Sequence, residues 1–229
     1  MSKYKILLFD ADATLLDFKR SEYVAVKECL DFFGLPSSDD VIEKYSEIND
    51  GYWKALERGE VTKEELKVAR FGDLCKCFGF DKDAVSMART YEKNLSEMTY
   101  LLDGAEELCR DLSEKYRIYI VTNGIKEVQM GRLGGSPLKK YFIKAFVSEE
   151  MGCEKPKREY FEAVAREIPD FDKDKAVIIG DSLSSDMKGG INFGIDTCWF
   201  DPSGKPKPEG MELTYVVTSF DDIREIFLK

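Results

Sequence analysis

A chain of 229 residues that is 43% hydrophobic can bury a sizeable core, as one α/β domain or as a core carrying a smaller inserted domain. Its net charge of -10 argues against nucleic-acid phosphates and anionic membranes as partners, since both call for a basic patch; a small phosphorylated ligand needs only a few local cations. Histidine is absent, which excludes Ser-His-Asp and Cys-His catalysis and His-ligated zinc, and leaves acid–base work to carboxylates, Lys, Tyr or Cys.

The first element is an apolar run over residues 5–9 that reads as a buried strand. Asp10, Asp12 and Thr14 alternate just past its end. Ligands of open parallel sheets bind beyond the carboxyl ends of the strands. An ionised carboxylate there needs a partner, and a metal cation is the obvious one. The bland alternative for the pair is an Asx-turn followed by a helix N-cap.

From about Asp17 to Glu97 no strand pattern occurs. Val41, Tyr45, Ile48, Tyr52 and Leu56 mark one face of a helix, and Gly59 stops it. Thr62-Lys63-Glu64-Glu65 is a capping box opening the next helix, which Gly79 ends, and residues 84–95 make another. Tyr52 and Trp53 could stack on a planar ligand, but their spacing favours the interior of this helical segment.

Strands are then expected over 118–122, 145–148, 176–179, 197–200 and 215–217, with helices over 104–115 and 157–167. This alternation predicts a Rossmann-like, three-layer α/β/α core with a mainly parallel sheet. Six scattered cysteines form no C-x-x-C pair and read as reduced, mostly buried thiols. The chain begins directly with a strand and has no apolar run near ~18 residues, so a cytoplasmic protein is expected.

Three further clusters follow the first: Val121-Thr122-Asn123-Gly124, Glu154-Lys155-Pro156, and Gly180-Asp181 through Asp186. The set suits phosphoryl transfer aided by a divalent cation, with Mg2+ the natural choice. Asp10 would attack phosphorus and form an aspartyl phosphate. Asp12 would protonate the leaving oxygen and later deprotonate the attacking water. Thr122 and Asn123 would hold phosphoryl oxygens and Lys155 would neutralise charge on the transferring group. Asp181 would complete the metal shell, tuned by Asp186. Thr14 is a supporting residue. Arg70 and Arg132 read as ordinary exposed residues.

These clusters resemble the four motifs of the haloacid dehalogenase (HAD) superfamily: D-x-D-x-T at Asp10–Thr14, the Thr of the second motif at Thr122, the Lys of the third at Lys155, and the acidic G-D-x-x-x-x-D at Gly180–Asp186. The helical insert resembles a C1 cap, which implies a catalytic core of residues 1–16 and 97–229 and a cap of residues 17–96. The resemblance implies metal ligation by Asp10 and Asp181 and by the backbone carbonyl of Asp12. Dehalogenases of the superfamily lack the second Asp of D-x-D, so Asp12 points to phosphate ester hydrolysis. Ala13 stands where Gly, Asp or Asn is commoner, which is harmless if that position needs no positive φ. The stretch Tyr52–Thr62, Gln129 with Arg132-Leu133, Ser148–Gly152 and Gly194–Trp199 is similar to the house-cleaning pyrimidine 5′-nucleotidase group. The expected substrate is therefore a small phosphorylated metabolite, a nucleoside 5′-monophosphate of pyrimidine type or else a sugar phosphate, acted on by a monomer or homodimer. A 2-haloacid dehalogenase or a catalytically silent binding protein are the rival classes.

Overall fold

The computed structural model describes residues 3–229. Among the described residues six strands form one sheet: β1 (Ile6–Phe9), β2 (Arg117–Thr122), β3 (Lys144–Val147), β4 (Ala176–Gly180), β5 (Asp196–Phe200) and β6 (Tyr215–Val217). All are parallel, in the order β3-β2-β1-β4-β5-β6. The central strands are apolar throughout because both faces are covered, as parallel sheets require. Side chains alternate: Leu7 and Phe9 join one apolar cluster, Ile6 and Leu8 the other. β1 pairs with β2 on one side and β4 on the other, so the chain's direction of winding reverses beside it. That reversal opens a crevice at the carboxyl ends of β1 and β4.

Ten α-helices complete the fold among the described residues, besides three short helical turns. In chain order they are α1 (Phe18–Phe32), α2 (Asp39–Glu57), α3 (Lys63–Phe78), α4 (Ala84–Glu97), α5 (Ala105–Ser113), α6 (Lys126–Gly135), α7 (Ser148–Met151), α8 (Arg158–Glu167), α9 (Lys188–Phe193) and α10 (Phe220–Leu228). Helices α5 and α10 cover one face of the sheet through Leu108, Leu112, Ile223 and Phe227. The other face receives α8 and α9 through Tyr160, Phe161, Val164 and Phe193. None of the described helices is long and apolar enough to cross a membrane.

Helices α1 to α4 share a third cluster built on Val26, Leu30, Tyr45, Phe71, Leu74 and Tyr91. Thr62 and Glu65 form the reciprocal cap that starts α3, and Gly79 ends that helix at φ 68°. This cluster is not closed on itself, because Ile125 and Val128 at the start of α6 belong to it. At Gly131 of α6 an added Cβ would lie 2.6 Å from the Ser96 carbonyl of α4, so a side chain there would push the two helices apart. The chain enters and leaves this helical segment side by side. Asp17 N–H donates to Tyr100 O (2.9 Å), Leu102 N–H donates to Leu15 O (3.0 Å), and Leu16 pairs antiparallel with Leu101.

Candidate active site

Each of the four clusters stands at the carboxyl edge of the sheet. Asp10 follows β1, Thr122 ends β2, and Asp181 follows β4. Asp10 stays in register, its N–H donating to Ile179 O at 2.9 Å, which aims the carboxylate into the crevice. Beyond it the chain turns sharply, with Leu15 and Leu16 N–H both donating to Ala11 O. This turn puts Ala13 at φ 59°, so the position does require a left-handed backbone and Ala13 occupies it against its steric preference.

Lys155 is almost wholly buried. Its ammonium donates to Asp10 Oδ1 (2.6 Å), Asp186 Oδ1 (2.6 Å) and Val121 O (2.8 Å). All three protons are therefore committed. Burial alone would lower its pKa, but the two carboxylates outweigh it and hold the ammonium above the ordinary lysine value. Asp186 is fully buried, and its second oxygen accepts from Ser182 N–H (3.2 Å). Gly180 makes room for it: an added Cβ would meet Asp186 Oδ2 at 2.3 Å.

Oxygens of Asp10, Asp181 and Asp186 all lie within 4.8 Å of one another. Thr14 Oγ1 sits between two of them, donating to Asp10 Oδ2 or Asp181 Oδ1 (3.4 Å each) and accepting from Asp181 N–H (3.2 Å). One ammonium facing three carboxylates leaves excess negative charge in a poorly solvated place. Burial pushes the Asp10 carboxyl well up, Lys155 opposing and Asp186 and Asp181 adding to the shift. Burial and then Asp186 push Asp181 up to about 7. An all-oxygen, carboxylate-rich set that lacks positive charge fits a hard divalent cation such as Mg2+.

The Asp12 side chain stands apart from these three acids. Its carboxylate accepts from Arg132 Nη1 and from Gln129 Nε2 (2.5 Å), outside the group of three acids. Asp186, expected in support, supplies the third acidic side chain of the group. Thr122 Oγ1 accepts from Gly124 N–H (3.0 Å) and Gln129 Nε2 (2.9 Å), so its hydroxyl proton remains to be donated. Asn123, which also lines the cleft, makes a contact that the sequence pattern does not anticipate. Its amide accepts from Lys155 N–H (2.9 Å) and donates to Lys155 O (2.8 Å), clamping the lysine's backbone.

The two arginines read as exposed are buried. Arg70 bonds Asn49 Oδ1 (2.9 Å), pairs with Glu92 (3.4 Å) and lies over the Tyr91 ring. Arg132 pairs with Asp12 and is wholly enclosed. Both are tolerated inside because every charge has a partner. The spacing of Gln129 and Arg132, three apart on the helix after the second cluster, is the sequence signal that pairs them.

A cleft of about 320 Å³ lies over these groups, closed from above by Phe18, Asp50, Trp53, Leu56 and Glu57 of the helical segment. Trp53 thus both packs on the helical cluster and faces the cleft, while Tyr52 donates to Asp73 (2.7 Å). Across the rim, Lys63 Nζ donates to Asn123 O (2.8 Å) and Ser148 Oγ (2.9 Å), and Ser184 Oγ donates to Glu57 (2.8 Å). A second hollow, about 470 Å³, lies by Lys5, Arg117 and Lys175 at the opposite end of the sheet, away from all four clusters.

The haloacid dehalogenase-like hydrolase family matches residues 7–200. Pyrimidine 5′-nucleotidase PynA of Streptococcus pneumoniae is 39% identical over 221 residues, covering 96% of this chain and 93% of that protein. HAD-hydrolase YfnB of Bacillus subtilis is 38% identical over 226 residues, covering 99% of this chain and 96% of its own. The crystal structure of YfnB bound to magnesium superimposes with a TM-score of 0.93 over 99% of both chains. Pyrimidine 5′-nucleotidase YjjG of Escherichia coli is 26% identical over 99% of both chains. With the four clusters gathered at one sheet edge and the match running through nearly the whole chain, the protein belongs to the haloacid dehalogenase-like hydrolases.

Proposed function

We propose that this hydrolase is an Mg2+-dependent phosphomonoesterase acting on small phosphorylated metabolites, with pyrimidine nucleoside 5′-monophosphates the preferred class. The observation that carries the reaction is the group formed by Asp10, Lys155, Asp181 and Asp186 at the floor of the cleft. Residues 1–16 and 97–229 form the catalytic core in this reading, and residues 17–96 form a cap over it.

Asp10, Asp181 and Asp186 would hold Mg2+, with the Asp12 carbonyl a further ligand. The ion would screen the repulsion between an attacking carboxylate and a phosphate dianion. Asp10 attacks phosphorus, the bond to the ester oxygen breaks, and Asp12 delivers a proton to that oxygen. Water then attacks the aspartyl phosphate, Asp12 takes its proton, and inorganic phosphate leaves with Asp10 restored. The Thr122 hydroxyl and nearby backbone N–H groups hold phosphoryl oxygens. Lys155 keeps Asp10 oriented and offsets its charge.

Support for the nucleotide comes from PynA and from the roof of the cleft. Phe18, Trp53 and Leu56 offer flat apolar surface for a base. Asp50 and Glu57 suit hydroxyl and amide donors and repel a second anion. The same charges disfavour 2-haloacids, whose carboxylate would find the lining lysine already committed.

The test is phosphate release from UMP, from sugar phosphates and from p-nitrophenyl phosphate, with Mg2+ and then with chelator. Turnover lost on chelation and abolished in folded Asp10→Asn is the expected result. Absence of any Mg2+-dependent turnover would refute the reaction, and preference for sugar phosphates would refute only the substrate.

A further inference from the structure

The guanidinium of Arg132 touches three separate parts of the chain. Nη1 donates to Asp12 Oδ1, Nη2 to Ser21 Oγ (3.1 Å), and Nε to Met98 O (3.1 Å). Ser21 lies in the first turn of α1, just after the chain enters the cap, and Met98 follows α4, just before it returns. Both stretches adjoin the paired segment where Asp17 meets Tyr100. The Phe18 ring, which also lines the cleft, stands 5.7 Å from the guanidinium.

Gln129 completes the hold on Asp12. Its amide nitrogen serves both Asp12 Oδ2 (2.5 Å) and Thr122 Oγ1 (2.9 Å), while its buried Oε1 has no hydrogen-bond partner among the described residues. The reverse amide orientation would set a carbonyl oxygen against a carboxylate oxygen, so the orphan acceptor is the lesser cost. Both oxygens of Asp12 are thereby fixed, one by each side chain of α6.

A planar fork with five donors can satisfy three partners in different directions at once, and a lysine ammonium cannot reproduce that geometry. We propose that Arg132 is a positioning residue for Asp12, tying the aim of that carboxylate to both chain crossings so that proton delivery is in place only when the cap is seated. This inference rests on Asp12 acting as the proton donor of the proposed reaction. Arg132 itself touches no reacting atom.

Proton delivery matters for a poor leaving group and little for a good one. The readout is therefore kcat/KM, which covers the steps up to release of the leaving group, for UMP against p-nitrophenyl phosphate. Arg132→Lys should lower kcat/KM for UMP about 10²-fold, the scale of one general-acid contribution, and for p-nitrophenyl phosphate less than about 3-fold. Asp12→Asn should show the same selectivity, and Arg132→Lys added to it should cause no further loss. Ser21→Ala cuts one crossing without touching Asp12. It should give a smaller loss of the same selectivity, and it serves where Arg132→Lys does not fold.

Equal losses on both substrates, in Arg132→Lys or in Ser21→Ala should the first not fold, would make Arg132 a structural residue and overturn the inference. A further loss in the Asp12→Asn background would do the same. If Asp12→Asn shows no selectivity, the reading of Asp12 as proton donor fails and takes this inference with it.

Discussion

Replacing Lys155 with Met removes one ammonium and leaves most of the side-chain volume. In the parent the ammonium lies 2.6 Å from one oxygen each of Asp10 and Asp186. At an effective dielectric of about 20, each such pair attracts by about 6 kcal/mol before desolvation is subtracted. The net loss is smaller, because the variant no longer buries an ammonium. Breaking a buried pair by removing one partner costs about 3–5 kcal/mol, and the Val121 carbonyl loses a donor as well. Urea unfolding at pH 7 with chelator should therefore show Lys155→Met less stable than the parent by about 3–5 kcal/mol. Adding Asp186→Asn should return part of that loss, since it removes one of the two facing charges.

The pH dependence has a definite sign. Asp10 and Asp181 have raised pKa values in the folded protein, Asp181 up to about 7 from 3.8. Between those values the folded state holds protons that the unfolded state has released, so metal-free stability falls as pH rises through the window. Lys155→Met removes a cation that opposes the shift, so its fall should continue to higher pH. A variant as stable as the parent at pH 7, or one that Asp186→Asn does not help, would refute the electrostatic account of the cluster.

Three other outcomes follow from separate features. Glu22 is buried, and burial raises its pKa despite donation from Ser46 and Asn49; Glu22→Gln should therefore flatten the decline of stability above about pH 4.5, and an unchanged slope in urea titrations would contradict this. Gly180→Ala places a Cβ against the Asp186 carboxylate, so it should cost about 1–3 kcal/mol of stability and at least an order of magnitude in turnover; a parent-like melting curve would refute the packing argument. Trp53→Ala should raise KM for UMP about tenfold, within the range of one base–aromatic stack, and leave KM for glycerol phosphate unchanged; equal effects on both would remove Trp53 from base recognition.

The strands were legible because parallel strands covered on both faces are nearly continuous apolar runs, as at Ile6–Phe9 and Ala176–Gly180. Their ends in turn placed the chemistry-bearing residues, and Asp10, Thr122, Lys155 and Asp181 do meet around one cleft. What escaped the sequence depends on partners distant along the chain. Arg132 is buried only because Asp12, 120 residues away, neutralises it, and no local pattern reports such a pair. Arg70 is enclosed by Asn49, Glu92 and Tyr91, each on another turn or helix. Ala13 as a residue type gives no sign of its positive φ; only the Gly, Asp or Asn commoner at that place in the resembling family points to it. Asn123 turned out to clamp the backbone of Lys155 because both of its amide atoms find partners 32 residues on.

The ladder joining Leu15, Leu16 and Asp17 to Tyr100, Leu101 and Leu102 makes the whole helical segment, topologically, a hairpin loop grown to the size of a domain. Closing a flexible loop becomes only about 0.6 kcal/mol more costly for each doubling of its length. The sheet is therefore almost indifferent to how long the excursion is, provided its two ends still meet in register. Such a junction is a natural graft point: another helical insert, or a short turn, could be spliced between the same paired residues while Asp10 keeps its place against β4. The roof of the cleft is then exchangeable on condition that its replacement again covers Ile125 and Val128 and again offers Arg132 a partner at the crossing.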